Sequence, residues 1–434
     1  YQLTMAQAYH AEGMNGQVVF ELFFREMPED RNFILAAGVE SVIDYLEHWR
    51  FTDTDLSYLR DQGQFSEGFL DFLADLRFTG DVFAVAEGTA VFENEPIVQV
   101  VAPLIQAQVI ETFLLNQVHF QSIAATKAAR IVAAAGERMV VDFGSRRAHG
   151  LDAALAVARA TYLVGGGGTS NVQAGRRYGI PIFGTMAHSY VQAHHDESVA
   201  FERFAQQYPG TTLLVDTYDT LGGVDKAIDL ATRQRDPIHI GAIRLDSGDL
   251  ADLAAAARQR LDDAGLNDVK ILASSSLDEY GIKALIEAGA PIDGFGAGTR
   301  LAVSPDVTDL DMAYKLVEYK GEPRMKLSSD KAIYPGRKQV FRRRDAAGEM
   351  TGDVIGRFDE SLDGRPLLQP VMTGGAVLPL PDLESARSFC RDQLASLPEP
   401  VRSLRPADPR YPVEPSAALA DARDRVAEGL RQRS

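Results

Sequence analysis

Apolar residues along this chain change their spacing twice, and those changes divide it into three stretches. Residues 1–136 mix helical and strand spacing: an opening helix, the strand-like run VVFELFF at 18–24, then helices through 39–49 and 69–76. The stretch 81–103 alternates apolar and polar positions around two turn signals, which predicts a small antiparallel sheet. A long apolar-periodic helical region follows over 104–135, with Gln106, Gln108 and Glu111 near its start, and is expected to pack the first domain against the second. From Met139 the rhythm becomes strand, loop, helix: MVVDF, IPIFGT, TTLLVDT, IHIGAIRL, DVKILASS and DGFGAG are short apolar runs, with helical segments such as 151–162, 250–261 and 279–287 between several of them. After about Asp311 the pattern turns to hairpins, MAYKLVEYKGEPRMKLSS and KQVFRRRDAAGEMTGDVIGRF. A Pro-rich stretch at 366–381 reads as a connection, and two amphipathic helices near 385–397 and 417–433 close the chain.

Strands alternating with helices imply a parallel sheet covered by helices, and six such units point to an α/β barrel. The domain reading is therefore 1–136 (α+β, completed by 311–434), 137–310 (α/β barrel) and 311–434 (hairpins and helices). Barrel sites form at the carboxyl ends of the strands, where loops and helix N-termini converge. The functional information should then lie just after each strand.

Composition narrows the function classes. The 434 residues carry 61 acidic and 44 basic side chains, a net charge of −17, with 45% hydrophobic residues. That balance excludes whole-chain disorder and disfavours nucleic acid and anionic membranes as partners, so any anionic substrate must find local cations. The single cysteine, Cys390, rules out an internal disulfide or a cysteine-rich zinc site and suits a cytoplasmic location. No apolar run reaches the roughly 20 residues that span a bilayer, and no secretory leader is visible. The chain begins at Tyr1 without a methionine, so a few native residues are expected to precede it.

The strand ends are polar, charged or glycine: Phe143 to Arg147, Gly184 to Ser189, Asp216 to Asp219, Arg244 to Asp249, Ser274 to Ser276 and Gly296 to Thr299. Arginine pairs and aspartates sharing one rim suit a phosphorylated sugar held with a divalent cation. GFGAGTR offers backbone N–H groups and the Thr299 hydroxyl to a phosphate, although an ordinary tight turn has the same composition. GGGGTSN at 165–171 lacks the lysine of a nucleotide P-loop, leaving close backbone approach and a helix start capped by Ser170 or Asn171. His188, after a strand and before a helix, can move a proton, bind metal or carry phosphate, or it can be a hydrogen-bonded structural histidine. Asp216 at the next strand end could orient its ring. His194, His195 and Asp196 match no ligand spacing and read as surface. Asp249 suits a helix start, whereas Asp246 sits directly at a strand end.

In order along residues 1–343, the strings YQLTMAQAY, DFGSRRAHG, GGGGTSNVQAG, GTMAHS, DTYDT, IRLDSGDL, GFGAGTR and KLSSDKAIYPGRKQVFR closely resemble nicotinate phosphoribosyltransferase. The resemblance implies a type II phosphoribosyltransferase fold, an irregular α/β barrel with a second α+β domain built from both ends of the chain. It implies transfer from 5-phosphoribosyl 1-diphosphate to nicotinate with ATP and Mg2+, giving nicotinate mononucleotide for NAD biosynthesis, in a homodimer with shared active sites. Under it, His188 matches a histidine transiently phosphorylated by ATP, and Asp216 matches its carboxylate neighbour. Tyr1, reaching across from a partner subunit, and Phe143 match the aromatic pair around the pyridine. Thr185 and Arg244 match nicotinate-site positions, while Arg146, Asp246, Gly298 and Thr299 match the surroundings of the phosphoribosyl group, and Gly296 is a further candidate substrate-binding residue. Some relatives carry a cysteine-rich metal knuckle near the C-terminus, which one cysteine cannot build. Residues beyond 343 receive no functional assignment, and the resemblance leaves the metal ligands unnamed.

Two other readings are weighed. A nicotinamide phosphoribosyltransferase shares the barrel and histidine, but the position matching Ser170 looks like an aspartate there, which would accept from an amide and repel a carboxylate. Here Ser170 offers a hydroxyl donor and Arg244 a positive charge. A catalytically silent barrel scaffold is disfavoured by the retention of His188, Arg244 and Asp246.

Overall fold

The computed structural model describes residues 1–234, 237–327 and 333–432. Residues 328–332 of the KLSSDKAIYPGRKQVFR string and Arg433 of the expected last helix lie outside the described residues. Two compact units result, 127–305 and a unit formed by 1–126 with 306–434. No helix among the described residues is long and apolar enough to cross a membrane.

The unit of both chain ends is organised by one strand. Gln17–Phe24 is buried at every position but the first, as a strand covered on both faces must be. It pairs antiparallel with Met312–Tyr319 on one side and Val98–Pro103 on the other, inside a seven-stranded sheet. Glu21 in its middle has no solvent, and Lys338 Nζ stands 2.6 Å from one of its oxygens while Gln99 donates to the other at 2.9 Å. A buried carboxylate persists only with such partners.

The Pro-rich stretch is a correction to the sequence reading. Gln369–Thr373 and Ala376–Val377 form a hairpin, and the first of these strands pairs with Asp81–Ala84. Pro370 is tolerated because the register shifts between Pro370 and Met372, a bulge that spares a ladder bond. The helical region at 104–135 is likewise two helices, Leu104–Val109 and Glu111–Ala135, separated at Ile110.

The unit 127–305 holds a six-stranded parallel sheet: β1 (Met139–Asp142), β2 (Gly168–Thr169), β3 (Thr211–Leu214), β4 (Ile240–Leu245), β5 (Lys270–Ser274) and β6 (Gly294–Ala297), in the order β2-β1-β6-β5-β4-β3. Chain neighbours are sheet neighbours at every step except β2 to β3, which lie at opposite edges, and β6 returns to pair with β1, which is barrel connectivity. One seam stays open. IPIFGT, expected as a full strand, makes only a single parallel bridge from Ile182 to Thr169. The sixth strand is instead Gly168–Thr169 inside the glycine run. Pro181 lacks an N–H to donate to a ladder, and the segment holds β2 by two bonds to one residue: Pro181 C=O accepts from Thr169 N–H at 3.0 Å and Phe183 N–H donates to Thr169 C=O at 2.9 Å. The result is a curled half-barrel rather than a closed ring.

Side chains alternate along each strand. On β4, Ile243 and Leu245 are fully buried on one face, leaving Ala242 and Arg244 on the other, with Asp246 next in that phase. Behind the sheet, Glu279 is fully buried between Lys127 at 2.6 Å and Arg130 at 2.8 Å, which ties the second half of Glu111–Ala135 to the helix Glu279–Glu287.

A second buried cluster generates a stability prediction. In the unit of both chain ends, Arg342 donates from Nε to Asp353 at 3.0 Å, and Tyr411 donates to the same carboxylate at 3.0 Å. Glu95 lies beside Asp353 with one oxygen accepting from Phe92 N–H at 2.9 Å. Burial first, and then the Asp353 charge, hold the Glu95 carboxyl well above the usual carboxylate range. A raised folded-state value means that stability is complete below about 4.5, where the unfolded carboxyl is also neutral, and is lost as pH rises toward the folded value. Glu95→Gln stays neutral at every pH, so its stability relative to the parent should rise as pH climbs above 4.5 and level off only above the folded-state value. Each kcal/mol recovered lifts Tm by roughly 2–4 °C. Thermal unfolding across that pH range checks this, and a gain that shrinks with pH would contradict it.

Candidate active site

Every candidate site residue except Tyr1 lies in the unit 127–305, and all of these but Thr185 and His188, which follow the single Ile182 bridge, sit at or just beyond the carboxyl end of a strand. Tyr1 belongs to the other unit, where its side chain is 69% exposed.

The loop after β1 carries Phe143, Gly144 and the 3-10 turn Ser145–Arg147. Phe143 N–H donates to Ala297 C=O at 2.7 Å, so the ring is fixed to the end of β6. It lies across Gly296, where a Cβ would stand 2.6 Å from the ring carbons. Only glycine permits that contact, which gives Gly296 a packing reason for its place at the rim. Gly298 begins the short helix Thr299–Val303, and the exposed Thr299 is its first residue.

Phe143, Thr185 and Arg244 line a narrow recess whose other walls are Met139, Val141, Leu272, Ala273, Phe295 and Gly296. Its walls are apolar, with one hydroxyl and one guanidinium. Arg244 donates from Nη1 to Thr185, while its buried Nε has no partner among the described residues. Burial lowers the Arg244 pKa and the nearby Arg146 charge adds to the effect, whereas Asp246 and Asp216 oppose it. An orphaned guanidinium donor beside an apolar recess suits a flat ring bearing an anionic group.

Ser170 is exposed, and its N–H donates to Asp142 C=O at 2.8 Å. The cap of the next helix, Val172–Tyr178, is Asn171, whose side chain accepts from Ala174 N–H. Capping is thereby assigned to Asn171, and the Ser170 hydroxyl is left available.

Across β3 and β4 the acidic pair gathers around His188. Asp216 is completely buried; its Oδ2 accepts from Asp246 N–H at 3.0 Å and from the Ser247 hydroxyl, while Oδ1 has no hydrogen-bond partner among the described residues. His188 Nε2 stands 4.0 Å from that open oxygen and 3.8 Å from Asp246 Oδ2. The other ring nitrogen, Nδ1, is 3.2 Å from the Thr217 hydroxyl. Ser274 donates to Asp246 Oδ1, which locks the second carboxylate to the end of β5. The imidazole is thus bonded on its Nδ1 side and faced by two carboxylates on its Nε2 side, with 39% of its side chain still open to solvent.

Thr217, Ser247, Ser274 and Asp142 were not among the singled-out residues, yet all four hold the site together. Each lies within or beside a quoted motif, but side-chain bonds made by the three hydroxyls across about 30 residues leave no local pattern, whereas Asp142 stands out as an acid closing an apolar strand. Asp249 is a helix N-cap, as its position suggested, and Asp196, read from the sequence only as surface, also caps a helix.

Among the described residues no three His, Cys, Asp or Glu side chains converge into a metal cage. Mg2+ needs less, one or two carboxylates with water and substrate phosphates filling its other positions. Asp246 and the unpartnered oxygen of Asp216 fit that requirement.

Comparison with known proteins agrees with this geometry. Residues 1–119 match the nicotinate phosphoribosyltransferase N-terminal domain, and 139–342 match the nicotinate phosphoribosyltransferase family. The chain is 57% identical over 415 residues to nicotinate phosphoribosyltransferase pncB2 of Mycobacterium tuberculosis, covering 95% of this chain and 89% of that protein. It is 45% identical over 378 residues to the nicotinate phosphoribosyltransferase of Bacillus subtilis, covering 85% and 77%. The crystal structure of human nicotinic acid phosphoribosyltransferase superposes with a TM-score of 0.87 at 29% identity, covering 98% of both chains. With these matches, and a half-barrel whose rim gathers the aromatic, arginine, histidine and aspartate positions, the chain belongs to the nicotinate phosphoribosyltransferase family.

Proposed function

We propose that this chain joins nicotinate to 5-phosphoribosyl 1-diphosphate, forming nicotinate mononucleotide and diphosphate, the first step of NAD salvage from nicotinate. ATP hydrolysis is coupled to the transfer through a phosphate carried on His188. The observation that carries this reading is the rim itself, where an apolar recess ending in Phe143 and the Arg244 guanidinium opens beside a histidine flanked by two aspartates.

In the transfer, the pyridine nitrogen bonds to ribose C1 as the bond from C1 to the diphosphate oxygen breaks, and diphosphate leaves with the electron pair. The transition state is oxocarbenium-like, so the protein orients the ring and stabilises the departing charge rather than supplying a nucleophile. Phe143 stacks the ring on one face, with the partner subunit's Tyr1 on the other. Arg244 and the Ser170 hydroxyl receive the carboxylate, and Thr185 aims the guanidinium. Arg146, Asp246, Gly296, Gly298 and Thr299 surround the phosphoribosyl group. Asp246 and Asp216 would hold Mg2+, which when bound neutralises diphosphate charge. In the ATP half-reaction, an imidazole nitrogen of His188 attacks the γ-phosphorus and ADP leaves with the bridging oxygen; Asp216 and Thr217 orient the ring. Hydrolysis of the phosphohistidine changes the equilibrium of transfer without entering bond formation at C1.

The direct test is diphosphate release with each pyridine, with the nucleotide product identified by mass. Nicotinate should exceed nicotinamide by at least about a hundredfold in kcat/KM, because leaving a buried charged group unmatched is worth on the order of 3 kcal/mol. Ser170→Asp should depress nicotinate use far more than nicotinamide use. Equal rates with the two pyridines at subsaturating concentration would reject the preference and the role given to Ser170, faster transfer to nicotinamide would favour a nicotinamide enzyme, and absence of product with either would favour a silent scaffold.

His188→Ala should eliminate stimulation by ATP and leave a slower, ATP-independent transfer. Continued ATP hydrolysis in step with product would remove His188 from the coupling role.

Shared sites make a complementation prediction. Tyr1→Ala and Phe143→Ala homodimers should each be nearly inactive. Mixed and re-equilibrated at equal amounts, they should recover about a quarter of the parent activity, since half the dimers then hold one intact site. No recovery from a mixture shown to exchange subunits would contradict a ring clamp built across the dimer.

A further inference from the structure

Asp142 ends β1 as an acid in an otherwise apolar strand, and its side chain is fully buried. Alternation places Val141 and Phe143 toward the recess, so Asp142 points to the opposite, apolar face with Val140. A carboxylate in such a place is unfavourable unless its bonds serve something. Desolvation indeed pushes its pKa up, against the opposing effect of the bonds it accepts.

Those bonds run to the loop after β1, which carries Phe143, and to the loop after β2, which carries Ser170. Oδ1 accepts from Gly144 N–H at 2.7 Å, fastening the residue after Phe143. Oδ2 accepts from the Thr169 hydroxyl at 2.7 Å, and the backbone carbonyl accepts from Ser170 N–H at 2.8 Å. With its proton given to Asp142, Thr169 Oγ1 turns a lone pair to Asn171 N–H at 3.0 Å, and Asn171 in turn accepts from Ala174 N–H. Ser170 is therefore pinned through its own N–H and through both sequence neighbours. Gly144 is needed for this arrangement, because a Cβ there would stand 3.0 Å from Asp142 Oδ1 and 2.7 Å from Ala302.

We infer that Asp142 is a positioning residue for pyridine recognition, setting the distance between the ring-stacking Phe143 and the carboxylate-reading Ser170. The inference rests on the proposal that these two residues face the pyridine. Asp142 touches no substrate in this account and acts through Gly144 and Thr169.

Geometry dictates which variants separate this role from general stability. Asn at 142 keeps an oxygen for Gly144 N–H but turns an NH2 group toward Thr169, whose hydroxyl proton then loses its acceptor. The damage should fall on the Ser170 side. Thr169→Val removes the same link from its other end, whereas Thr169→Ser keeps the hydroxyl.

The experiment measures KM for nicotinate and for 5-phosphoribosyl 1-diphosphate, kcat, and the nicotinate to nicotinamide ratio of kcat/KM. Asp142→Asn and Thr169→Val should each raise the nicotinate KM by about tenfold or more and lower the discrimination ratio similarly, with the KM for 5-phosphoribosyl 1-diphosphate within about twofold of the parent. The double variant should be no worse than either single one, and Thr169→Ser should match the parent. Equal changes in both KM values, or no change in either, would overturn the inference. If Asp142→Asn does not fold, Thr169→Val and Thr169→Ser decide it alone. If the parent is active and Ser170→Asp shifts the pyridine preference while the Thr169 and Asp142 variants do not, only this inference falls. If the parent shows no nicotinate transfer, it is the proposed function that falls.

Discussion

The candidate site depends on one half-satisfied carboxylate. Asp216 is completely buried, and a buried carboxylate must be met by donors on its several lone-pair positions. Its Oδ2 is met by Asp246 N–H and Ser247, which draws the loop after β4 against the end of β3 and fixes where Asp246 begins. Ser274 then fixes the Asp246 side chain from β5. Three adjacent strand ends are locked in this way, and the oxygen of Asp216 left open faces the His188 ring. A parallel sheet makes such a chain of bonds possible, because it brings the carboxyl ends of all its strands to one edge. Thr185 and His188 lie in sequence between the Ile182 bridge and β3, the two sides of the open seam, and the segment carrying them belongs to no ladder.

Much of this was legible in the sequence, for physical reasons that also explain the rest. Five of the six expected strands are present because short apolar runs bounded by polar ends have few other solutions. The sixth was misplaced: IPIFGT has the composition of a strand, but Pro181 weakens its ladder, while Gly168–Thr169 pairs despite a composition that reads as loop. The hairpin at 369–377 was read as a connection because prolines argue against strands, and its partner, Asp81–Ala84, lies almost 290 residues earlier. Pattern reasoning cannot see a pairing at that range.

Among site residues, strand-end position and motif order singled out His188, Asp216, Asp246, Arg244 and Phe143, because these are the groups that would meet substrate. The supporting hydroxyls Thr217, Ser247 and Ser274 carry no such signal, since serine and threonine are ordinary in loops. Asp142 did carry one, an acid closing an apolar strand, which is rare unless its bonds are needed. Against a net charge of −17, the cations Arg146 and Arg244 also gain meaning, as they make the rim locally attractive to anions that the rest of the surface repels.

The central claim is that the open face of His188, held by Asp216 and Asp246, carries phosphate from ATP. The most direct measurement is rapid-quench trapping of the enzyme with ATP labelled at the γ-phosphate, followed by peptide mass spectrometry under conditions that preserve acid-labile phosphohistidine. The account predicts one labelled peptide, with the phosphate on His188, and loss of the label when nicotinate and 5-phosphoribosyl 1-diphosphate are added. Label on another residue, or ATP-coupled turnover with no label at any quench time, would contradict it.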